Sequence, residues 1–478
     1  MKTISIALLP LCLLLYCACG SKEIREEKTA AGPAPKTFLA AVAAAKLGNT
    51  EATRLALTEA CAQNNSAACQ RLGKFFDFKS LRLLAILQGP TNQTTTTIAV
   101  LHKKSQTSHA LLWDGMTLVE PTEQAIKPIA QLDCQMQHLT YQDLSKEKEY
   151  DLQIVTDSGV LLDVRHVRTL APENSHLKFA VVSSLDDGYD GDQKKMWHEV
   201  LNRKPDVLFL LGNTVFINGN SAESIWKRHA DTRNTLDLFR SERLIPTFAV
   251  WDERDYGIAD GDKSFALKSV SSEAFATFFP MNEILNYHRG PGVSSHFSVA
   301  GQSFFLMDDR SFRSPRAETK DSTQWGNEQE NWLYRRIALN PVPTWILNGS
   351  QYFGRYHEFD SFEGRNPSSF SRFLMNARSL PCPLVFVSSS PYFSEMMRIT
   401  PETLGYETFE LTTGVLHART TTGTWKAHPN SRQIAGNDEA TNYLIIDSNA
   451  TQRKLHFVAS VYGAGAAPLY SQDLSVMK

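Results

Sequence analysis

The sequence lacks an excess of charge of either sign. Its 478 residues include 49 Lys and Arg against 51 Asp and Glu, giving a net charge of -2, and no run of like charge stands out. A polyanion-binding surface is therefore not indicated, and nucleic acid is not expected as a partner. The 26 glycines and 21 prolines are too few for a collagen-like or low-complexity chain, whereas 42% apolar residues supply enough material for hydrophobic cores.

The sequence also lacks an apolar run long enough to span a membrane, and its most apolar segment is a short one at the N-terminus. Lys2 precedes the apolar segment Ile4–Tyr16, which is too short to span a bilayer and predicts a signal peptide. Ala18 and Cys19 then resemble the end of a bacterial lipoprotein signal, with Cys19 as the lipidated residue; a simple secretion signal is the alternative. We expect an exported protein of the bacterial cell envelope, lipid-anchored on the periplasmic or surface face of a membrane.

Export places the remaining cysteines in an oxidising compartment. Cys61 and Cys69 lie on either side of Asn64-Asn65-Ser66, a sequence that can break a helix. We expect a disulfide between them, and two free buried thiols are the alternative. The segment also resembles one Sel-like helical repeat, which must pack on a neighbour because a single repeat cannot bury its own face.

The pattern changes four times along the chain and so divides it into five segments. Residues 1–18 are the signal peptide, and residues 19–37, charged and then rich in Ala and Pro, are a tether. Ala and Leu at helical spacing predict a helical hairpin at 38–78. Short β-rich runs between turn-forming residues predict a small antiparallel β-sandwich, fibronectin type III-like, at 81–170. Residues 176–470 form a larger domain.

In the larger domain, apolar strands alternate with helices, which predicts an α/β fold with helices on both faces of the sheet. Ligands of such sheets bind beyond the carboxyl ends of the strands, so we expect the chemistry in the loops there. The predicted strands are Phe179–Ser183, Val207–Leu211, Thr247–Trp251, Phe304–Met307, Trp345–Leu347, Leu384–Val387, Tyr443–Ile446 and Leu455–Val458, and the predicted helices are Asp192–Asn202, Ala222–Arg243, Asn327–Ala338 and Pro367–Ala377.

The loops after these strands carry a series of polar motifs. They are Ser183–Asp187, Leu211–Phe216, Trp251–Gly257, Leu306–Arg313, Gly349–Gln351 and Val387–Glu395, with Asn327–Leu333 and Asn442-Tyr443 as further matching segments. Together and in this order they resemble the alkaline phosphatase D-like (PhoD-type) metallophosphatases, from Leu81 to Leu469. The resemblance implies a four-layer α/β/β/α sandwich that binds two metal ions, iron and calcium, and hydrolyses phosphate esters.

The metal-binding positions depart from that pattern. The residues present, each with the family residue that it replaces, are Ser184 (cysteine), Asn213 (aspartate), Phe216 (tyrosine), Glu253 (aspartate), Arg254 (histidine), Ser390 (aspartate) and Tyr392 (histidine). A serine hydroxyl is a weak ligand because it stays protonated, phenylalanine has no donor atom, and a fixed guanidinium charge repels a cation. The pattern therefore predicts a pseudoenzyme with no metal, no cofactor and no catalytic residue at these positions.

A second interpretation stays open for the same cleft. Asp186, Asn213, Asp252 and Asp255 offer oxygen ligands, and a reduced site holding calcium, iron or both would support an active phosphomonoesterase or phosphodiesterase. In the first interpretation the cleft binds a small anionic ligand or a protein partner without turnover.

Other candidate ligands have structural explanations. Asp186 and Asp187 follow a strand and are expected to form a turn. His417 lies in a predicted strand, Leu411–Arg419, and is expected to be satisfied by hydrogen bonds. Buried arginines need carboxylate partners, so we expect ion pairs at the remaining acids and arginines. The alternative for the acids is a calcium ion, and the alternative for the arginines is a bound phosphate. The expected pairs are Asp252 and Asp255 with Arg254 or Arg310, and Arg310 and Arg313 with Asp308 or Asp309.

Overall fold

The computed structural model describes residues 36–74, 82, 84–171, 175–189, 193–318, 322–355, 361–389 and 392–478. The predicted signal peptide, most of the tether, the lipidation site Cys19 and the cleft residue Ser390 lie outside these residues. Among the helices of the described ranges, none has the length and apolar character that crossing a membrane requires.

The N-terminal helical segment has three helices where a hairpin of two was predicted. They are α1 (Lys36–Lys46), α2 (Thr50–Ala62) and α3 (Ser66–Arg71). Gly48, at φ 70°, interrupts the segment once more than the sequence indicated. Asn49 and Asn65 cap the next two helices by accepting hydrogen bonds from backbone N–H groups. Cys61 of α2 and Cys69 of α3 form a disulfide, with a Cα–Cα distance of 4.7 Å.

The helical segment packs on a β-sandwich. This contact buries the apolar face of the helices, which the helical segment cannot bury by itself. Phe38 and Leu57 join Trp113 and Leu161 of the sandwich in one hydrophobic cluster. The sandwich strands are β1 (Ala85–Thr91), β2 (Thr96–Lys103), β3 (Ser108–Asp114), β4 (Thr117–Val119), β5 (Glu123–Ile129), β6 (Cys134–Tyr141), β7 (Glu149–Thr156) and β8 (Leu161–Arg168). They form two four-stranded sheets, β1-β2-β6-β5 and β4-β3-β7-β8, in which all neighbours are antiparallel. The predicted antiparallel sandwich is confirmed.

The larger domain alternates strands and helices over most of its length. Its strands are β9 (His176–Val182), β10 (Val207–Leu211), β11 (Thr247–Val250), β12 (Tyr287–Arg289), β13 (Ser295–Val299), β14 (Gln302–Met307), β15 (Thr344–Asn348), β16 (Leu384–Ser388), β17 (Ser394–Ile399), β18 (Thr408–Thr412), β19 (Gln433–Asn437), β20 (Tyr443–Ala450), β21 (Lys454–Tyr462) and β22 (Pro468–Met477). Its helices are α4 (Gln193–Asn202), α5 (Ala222–Thr235), α6 (Glu253–Tyr256), α7 (Lys268–Phe278), α8 (Gly326–Leu339), α9 (Phe362–Arg365), α10 (Pro367–Ser379), α11 (Pro401–Leu404) and α12 (Thr424–Ala427).

Two sheets form the centre of this domain, with strand orders β11-β10-β9-β20-β21-β22 and β12-β13-β14-β15-β16-β18-β17-β19. The strands β9, β10 and β11 are parallel, as are β14, β15, β16 and β18, so the carboxyl ends of each set meet at one edge. Aromatic side chains join the two sheets: the ring of Phe179 lies 5.3 Å from that of Phe304 and 5.2 Å from that of Trp345. The predicted α/β/β/α sandwich is confirmed.

Two predicted elements are wrong in extent. The helix expected at 222–243 ends at Thr235, because Leu236 is extended (φ -70°, ψ 130°) and buries its side chain in the core before a 3-10 helix, Asp237–Arg240. The strand expected at 411–419 ends at Thr412. There the chain passes so close to Asn442 that a Cβ on Gly414 would lie 2.4 Å from the amide oxygen.

Candidate functional site

Loops from both sheets meet at the carboxyl edge of the parallel strands. Ser184, Asn213 and Asp252 follow strands of the six-stranded sheet, and Asp309 follows a strand of the eight-stranded sheet. Ser389 ties the two sets together, because its hydroxyl donates to the carbonyl oxygen of Gly349 (2.7 Å) and to that of Leu211. The strand-end rule predicted this edge as the place of the cleft, and the structure places Ser184, Asn213 and Asp252 there.

Three positions of the predicted metal shell have a left-handed backbone although none is a glycine. The φ angles of Ser184, Asn213 and Tyr392 are 57°, 51° and 74°. Such residues cost on the order of 1 kcal/mol each and cluster at functional sites. Gly212 has a positive φ as well, and a Cβ there would lie 2.3 Å from the Cβ of Asp252. The loops thus hold a close, strained arrangement around Asp252.

The carboxylate of Asp252 already has partners on both oxygens. Oδ1 accepts hydrogen bonds from Arg310, with Nε at 2.8 Å and Nη2 as the second donor. Oδ2 accepts from the amide nitrogen of Asn213 at 3.1 Å. The amide oxygen of Asn213 in turn accepts from the backbone N–H of Arg254 at 3.0 Å. Both potential metal ligands, Asp252 and Asn213, are therefore engaged by protein groups.

Arg310 is the cation at the centre of this arrangement, and its side chain is only 2% exposed. Burial alone would lower the pKa of its guanidinium, but the carboxylates of Asp252 and Asp309 more than offset burial and raise that pKa. Arg310 therefore stays charged. The sequence left open whether Arg254 or Arg310 pairs with Asp252, and the structure pairs Asp252 with Arg310.

Arg254 itself lies at the margin of the cleft. Its side chain is 34% exposed, and its Nε lies 3.6 Å from a carboxylate oxygen of Glu253. Its guanidinium carbon lies 5.9 Å from the ring centroid of Phe216, and Tyr392 is a hydrogen-bonding neighbour. The resemblance implied a metal-binding residue at each of these four positions. Here Glu253, Phe216 and Tyr392 surround the guanidinium of Arg254 instead.

Asp255 differs from the expectation that it pairs with an arginine. Its carboxylate accepts hydrogen bonds from the backbone N–H groups of Thr214 (2.9 Å), Val215 (2.7 Å) and Asp252 (3.0 Å). It therefore fastens the loop after β10 to the start of α6. Burial raises the pKa of Asp255 to about 7.

Of the pairs predicted for Arg310 and Arg313 with Asp308 or Asp309, the structure contains the ion pair of Arg310 with Asp309, whereas Arg313 pairs elsewhere. Arg310 hydrogen-bonds to Asp252 and forms a longer ion pair with Asp309, with 3.5 Å between Nε and Oδ1. Arg313 pairs with Asp260 at 2.6 Å. Oδ1 of Asp308 accepts from the indole N–H of Trp251 (2.7 Å) and from two backbone N–H groups of its own turn. Its Oδ2 accepts from the backbone N–H of Val293 (3.1 Å) and from the hydroxyl of Ser311 (2.7 Å), so both oxygens have partners other than an arginine side chain.

The acids after β9 and His417 also have structural partners. Asp186 accepts from the backbone N–H of Gly188 at 3.0 Å, as the predicted turn requires, whereas Asp187 pairs with Arg228 of α5. His417 contacts the carbonyl oxygen of Asp186 through Nδ1 at 3.2 Å, and its buried Nε2 has no hydrogen-bond partner. Burial lowers the pKa of His417 below its ordinary value.

A buried polar network on the eight-stranded sheet was missed by the sequence analysis. The amide nitrogen of Gln351 donates to Glu395 (2.6 Å) and to Thr412 (3.0 Å). Glu410 accepts from the backbone N–H groups of Tyr352 (2.7 Å) and Phe353 (2.8 Å). Gln351 and Glu395 both lie in the strand-end motifs, and this shared position is the sequence feature that could have predicted the network.

The donor set of these loops does not fit the iron and calcium pair that the resemblance implies. Two adjacent cations need bridging and terminal anionic ligands. Here Asp252 is neutralised by Arg310, Asn213 is neutral, and Phe216 has no donor. Within the part of the chain that the structure describes, no group of three or more His, Cys, Asp or Glu side chains could hold a metal ion.

Comparisons with known proteins bear on the fold. No family model matches the chain, and no curated protein matches it. A solved structure described as the structure of PhoD matches with a TM-score of 0.64 and 15% sequence identity, over 84% of this chain and 90% of that one. At that identity the match speaks for the architecture alone. The chain therefore shares the fold of PhoD.

Proposed function

We propose that the chain is a pseudophosphatase: an exported lipoprotein, attached to a membrane through Cys19, whose PhoD-like fold binds a ligand without hydrolysing it. The lipid anchor rests on the sequence of residues 1–19, and the loss of turnover rests on the cleft. Calcium, iron and catalytic side chains have no part in this proposal.

The single observation that carries the proposal is the pairing of Asp252 with Arg310. A metal ion beside Asp252 would have to displace a guanidinium that shares the same oxygen and carries a full positive charge. Displacing it would leave Arg310, 2% exposed, without its closest counter-charge. Uncompensated buried charges cost several kcal/mol, on the order of 3–5, so ion binding has to offset that penalty first.

The alternative is a reduced oxygen-ligand site that supports phosphomonoesterase or phosphodiesterase activity. It would use Asp186, Asn213, Asp252 and Asp255. In the structure Asp186 closes a turn with Gly188, and Asp255 accepts three backbone N–H groups. Each of these oxygens would have to exchange a protein partner for the ion, which favours the first interpretation.

A turnover assay separates the two. The full-length protein is assayed against phosphomonoesters and phosphodiesters with added calcium, manganese or iron, beside an Asp252→Asn variant and a chelator-treated sample. We expect the same background rate in all three. Turnover that the chelator abolishes and that Asp252→Asn also loses would overturn the proposal and establish the phosphoesterase.

Attachment to the membrane is tested separately. In bacterial cells that process lipoproteins, the wild-type chain should fractionate with membranes and incorporate labelled fatty acid. A Cys19→Ser variant should do neither. Equal membrane association of the two would contradict the anchor and leave the account of the cleft unchanged.

A further inference from the structure

Arg254 carries hydrogen-bond donors at the margin of the cleft that the protein uses only in part. A guanidinium has five N–H donors. Tyr392 is a hydrogen-bonding neighbour of Arg254, whereas Glu253 lies 3.6 Å from Nε, which is too far for a hydrogen bond. Nε itself has no hydrogen-bond partner, and the side chain is 34% exposed. Most donors of this guanidinium are therefore open to a ligand.

The charge of Arg254 is kept as well. Burial would lower the pKa of its guanidinium, but Tyr392, Glu253 and Asp252 together raise that pKa above its ordinary value. Arg310, at the same edge of the sheets, differs because its Nε and Nη2 both donate to Asp252. The edge thus has one guanidinium that is closed by a carboxylate and one that is open.

Two aromatic side chains stand beside the open guanidinium. The ring centroid of Phe216 lies 5.9 Å from the guanidinium carbon of Arg254, and Tyr392 is its hydrogen-bonding neighbour. Phe216 and Tyr392 are both partly exposed. A ligand that reaches the guanidinium from solvent would therefore also meet apolar ring surface, which combines a charged contact with a hydrophobic one.

The backbone around Arg254 is held in a costly conformation. Tyr392 has a φ angle of 74°, and a bulky residue at a positive φ is an outlier. Asn213 has a φ of 51°, and its amide oxygen accepts a hydrogen bond from the backbone N–H of Arg254 at 3.0 Å. Strained residues of this kind persist mainly at active sites and ligand clamps. The strain places Tyr392 and Arg254 side by side, although neither of them holds a metal ion.

The charges at this position favour a singly charged ligand. Arg254 contributes one positive charge, and Glu253 keeps a carboxylate beside it because its Oε2 accepts the backbone N–H of Asp260 at 2.8 Å. A phosphate monoester carries about -2 near neutral pH and would be repelled by Glu253. A carboxylate carries half that charge, and its two oxygens match the planar guanidinium bidentately.

We propose that the margin of the cleft binds a small aromatic carboxylate, with the carboxylate group on Arg254 and the ring against Phe216 and Tyr392. The inference rests on the proposed function, since it names the class of ligand that the cleft binds without hydrolysis.

The test is calorimetric titration of the full-length protein with benzoate. Benzamide is the uncharged ligand of the same shape, and phenyl phosphate is the doubly charged one. Arg254→Gln removes the charge and Phe216→Leu removes the ring. Arg372→Gln on α10 is the matched control, because Arg372 is 41% exposed and has a carboxylate, that of Glu330, at 3.5 Å.

We expect saturable binding of benzoate to the wild type. Binding should be roughly tenfold weaker or more in Arg254→Gln, since a charge-assisted pair is lost, and weaker in Phe216→Leu. It should be unchanged in Arg372→Gln. Benzamide should not bind, and phenyl phosphate should bind more weakly than benzoate.

Each other outcome decides one claim. No saturable binding of benzoate, equal affinity in wild type and Arg254→Gln, or an equal loss in Arg372→Gln overturns the site and leaves the pseudophosphatase in place. Tighter binding of phenyl phosphate than of benzoate overturns the carboxylate as the ligand class. Release of phenol from phenyl phosphate overturns the pseudophosphatase, whereas benzoate has no ester bond and its titration still decides the site.

Discussion

The carboxylates of Asp252 and Asp260 are neighbours that meet arginines in opposite proportion. At Asp252, which we call the centre, one guanidinium, that of Arg310, lies between two carboxylates, those of Asp252 and Asp309. At Asp260, the guanidiniums of Arg313, Arg316 and Arg365 share one carboxylate. The first arrangement gives Asp252 a cation of the protein where a metal ion would otherwise lie, whereas the second joins separate segments of the chain through one acid.

The largest expected effect comes from unbalancing the centre. Arg310→Met leaves the carboxylate of Asp252 buried without its cation, which should destabilise the protein by roughly 3–5 kcal/mol. Urea unfolding measures the loss. The double variant Arg310→Met/Asp252→Asn removes both charges and should recover most of it. Equal stability of Arg310→Met and wild type would show that the pair does not neutralise the centre.

The pH dependence of stability comes next. Burial raises the pKa of Glu410 from 4.5 to about 7. Folding therefore favours the protonated form of Glu410. The stability gained in this way is complete below pH 4.5, the pKa in the unfolded chain, and is lost as the pH rises through the folded pKa of about 7. By the same rule the arginines, which hold the pKa of Asp260 low against the effect of burial, make stability fall at acid pH.

Glu410→Gln tests the first of these. Wild type should lose on the order of 2 kcal/mol between pH 5 and pH 8 through this group, and the variant should lose less. Glu407→Gln, an exposed change next to the same strand, is the control and should follow wild type. An identical pH profile for wild type and Glu410→Gln would contradict the raised pKa.

Removing the carboxylate of Asp260 should have a smaller effect on stability and a distinctive response to anions. Asp260→Asn leaves three guanidiniums facing one another, which should cost about 1–2 kcal/mol at low salt. Added phosphate should restore more stability to Asp260→Asn than to wild type, as thermal unfolding at several phosphate concentrations would measure. Equal gains in the two proteins would contradict the role of Asp260 as the shared acid of the three guanidiniums.

The smallest effect is expected at Arg254, the cation that the sequence placed in the cleft. Its side chain is a third exposed and its nearest carboxylate lies 3.6 Å away, so Arg254→Gln should change stability by less than about 1 kcal/mol. Urea unfolding beside Arg310→Met makes the comparison. If Arg254→Gln lowers the free energy of unfolding as much as Arg310→Met does, Arg310 is not the main cation that neutralises Asp252.

The fold was largely predictable because its signals are local. Apolar runs such as 207–211 and 384–388 are buried strands in the structure, with helices between them. The break at Gly48 and the early end of α5 were missed, since both depend on packing that helical periodicity does not contain.

The centre was harder to predict. Arg310 and Asp252 are 58 residues apart, and only the folded loops reveal that Arg310, and not Arg254, meets that carboxylate. The loop motifs located the edge of the sheet correctly. They gave no sign of the three arginines around Asp260, because Asp260, Arg313 with Arg316, and Arg365 come from three separate segments of the chain.

Elemental analysis tests the central claim most directly. The purified full-length protein is incubated with iron and calcium, freed of unbound metal by gel filtration, and its bound metal is measured per chain. The pairing of Asp252 with Arg310 predicts well below one equivalent of either metal, and no difference between wild type and Asp252→Asn. Two equivalents per chain, lost in Asp252→Asn, would contradict it.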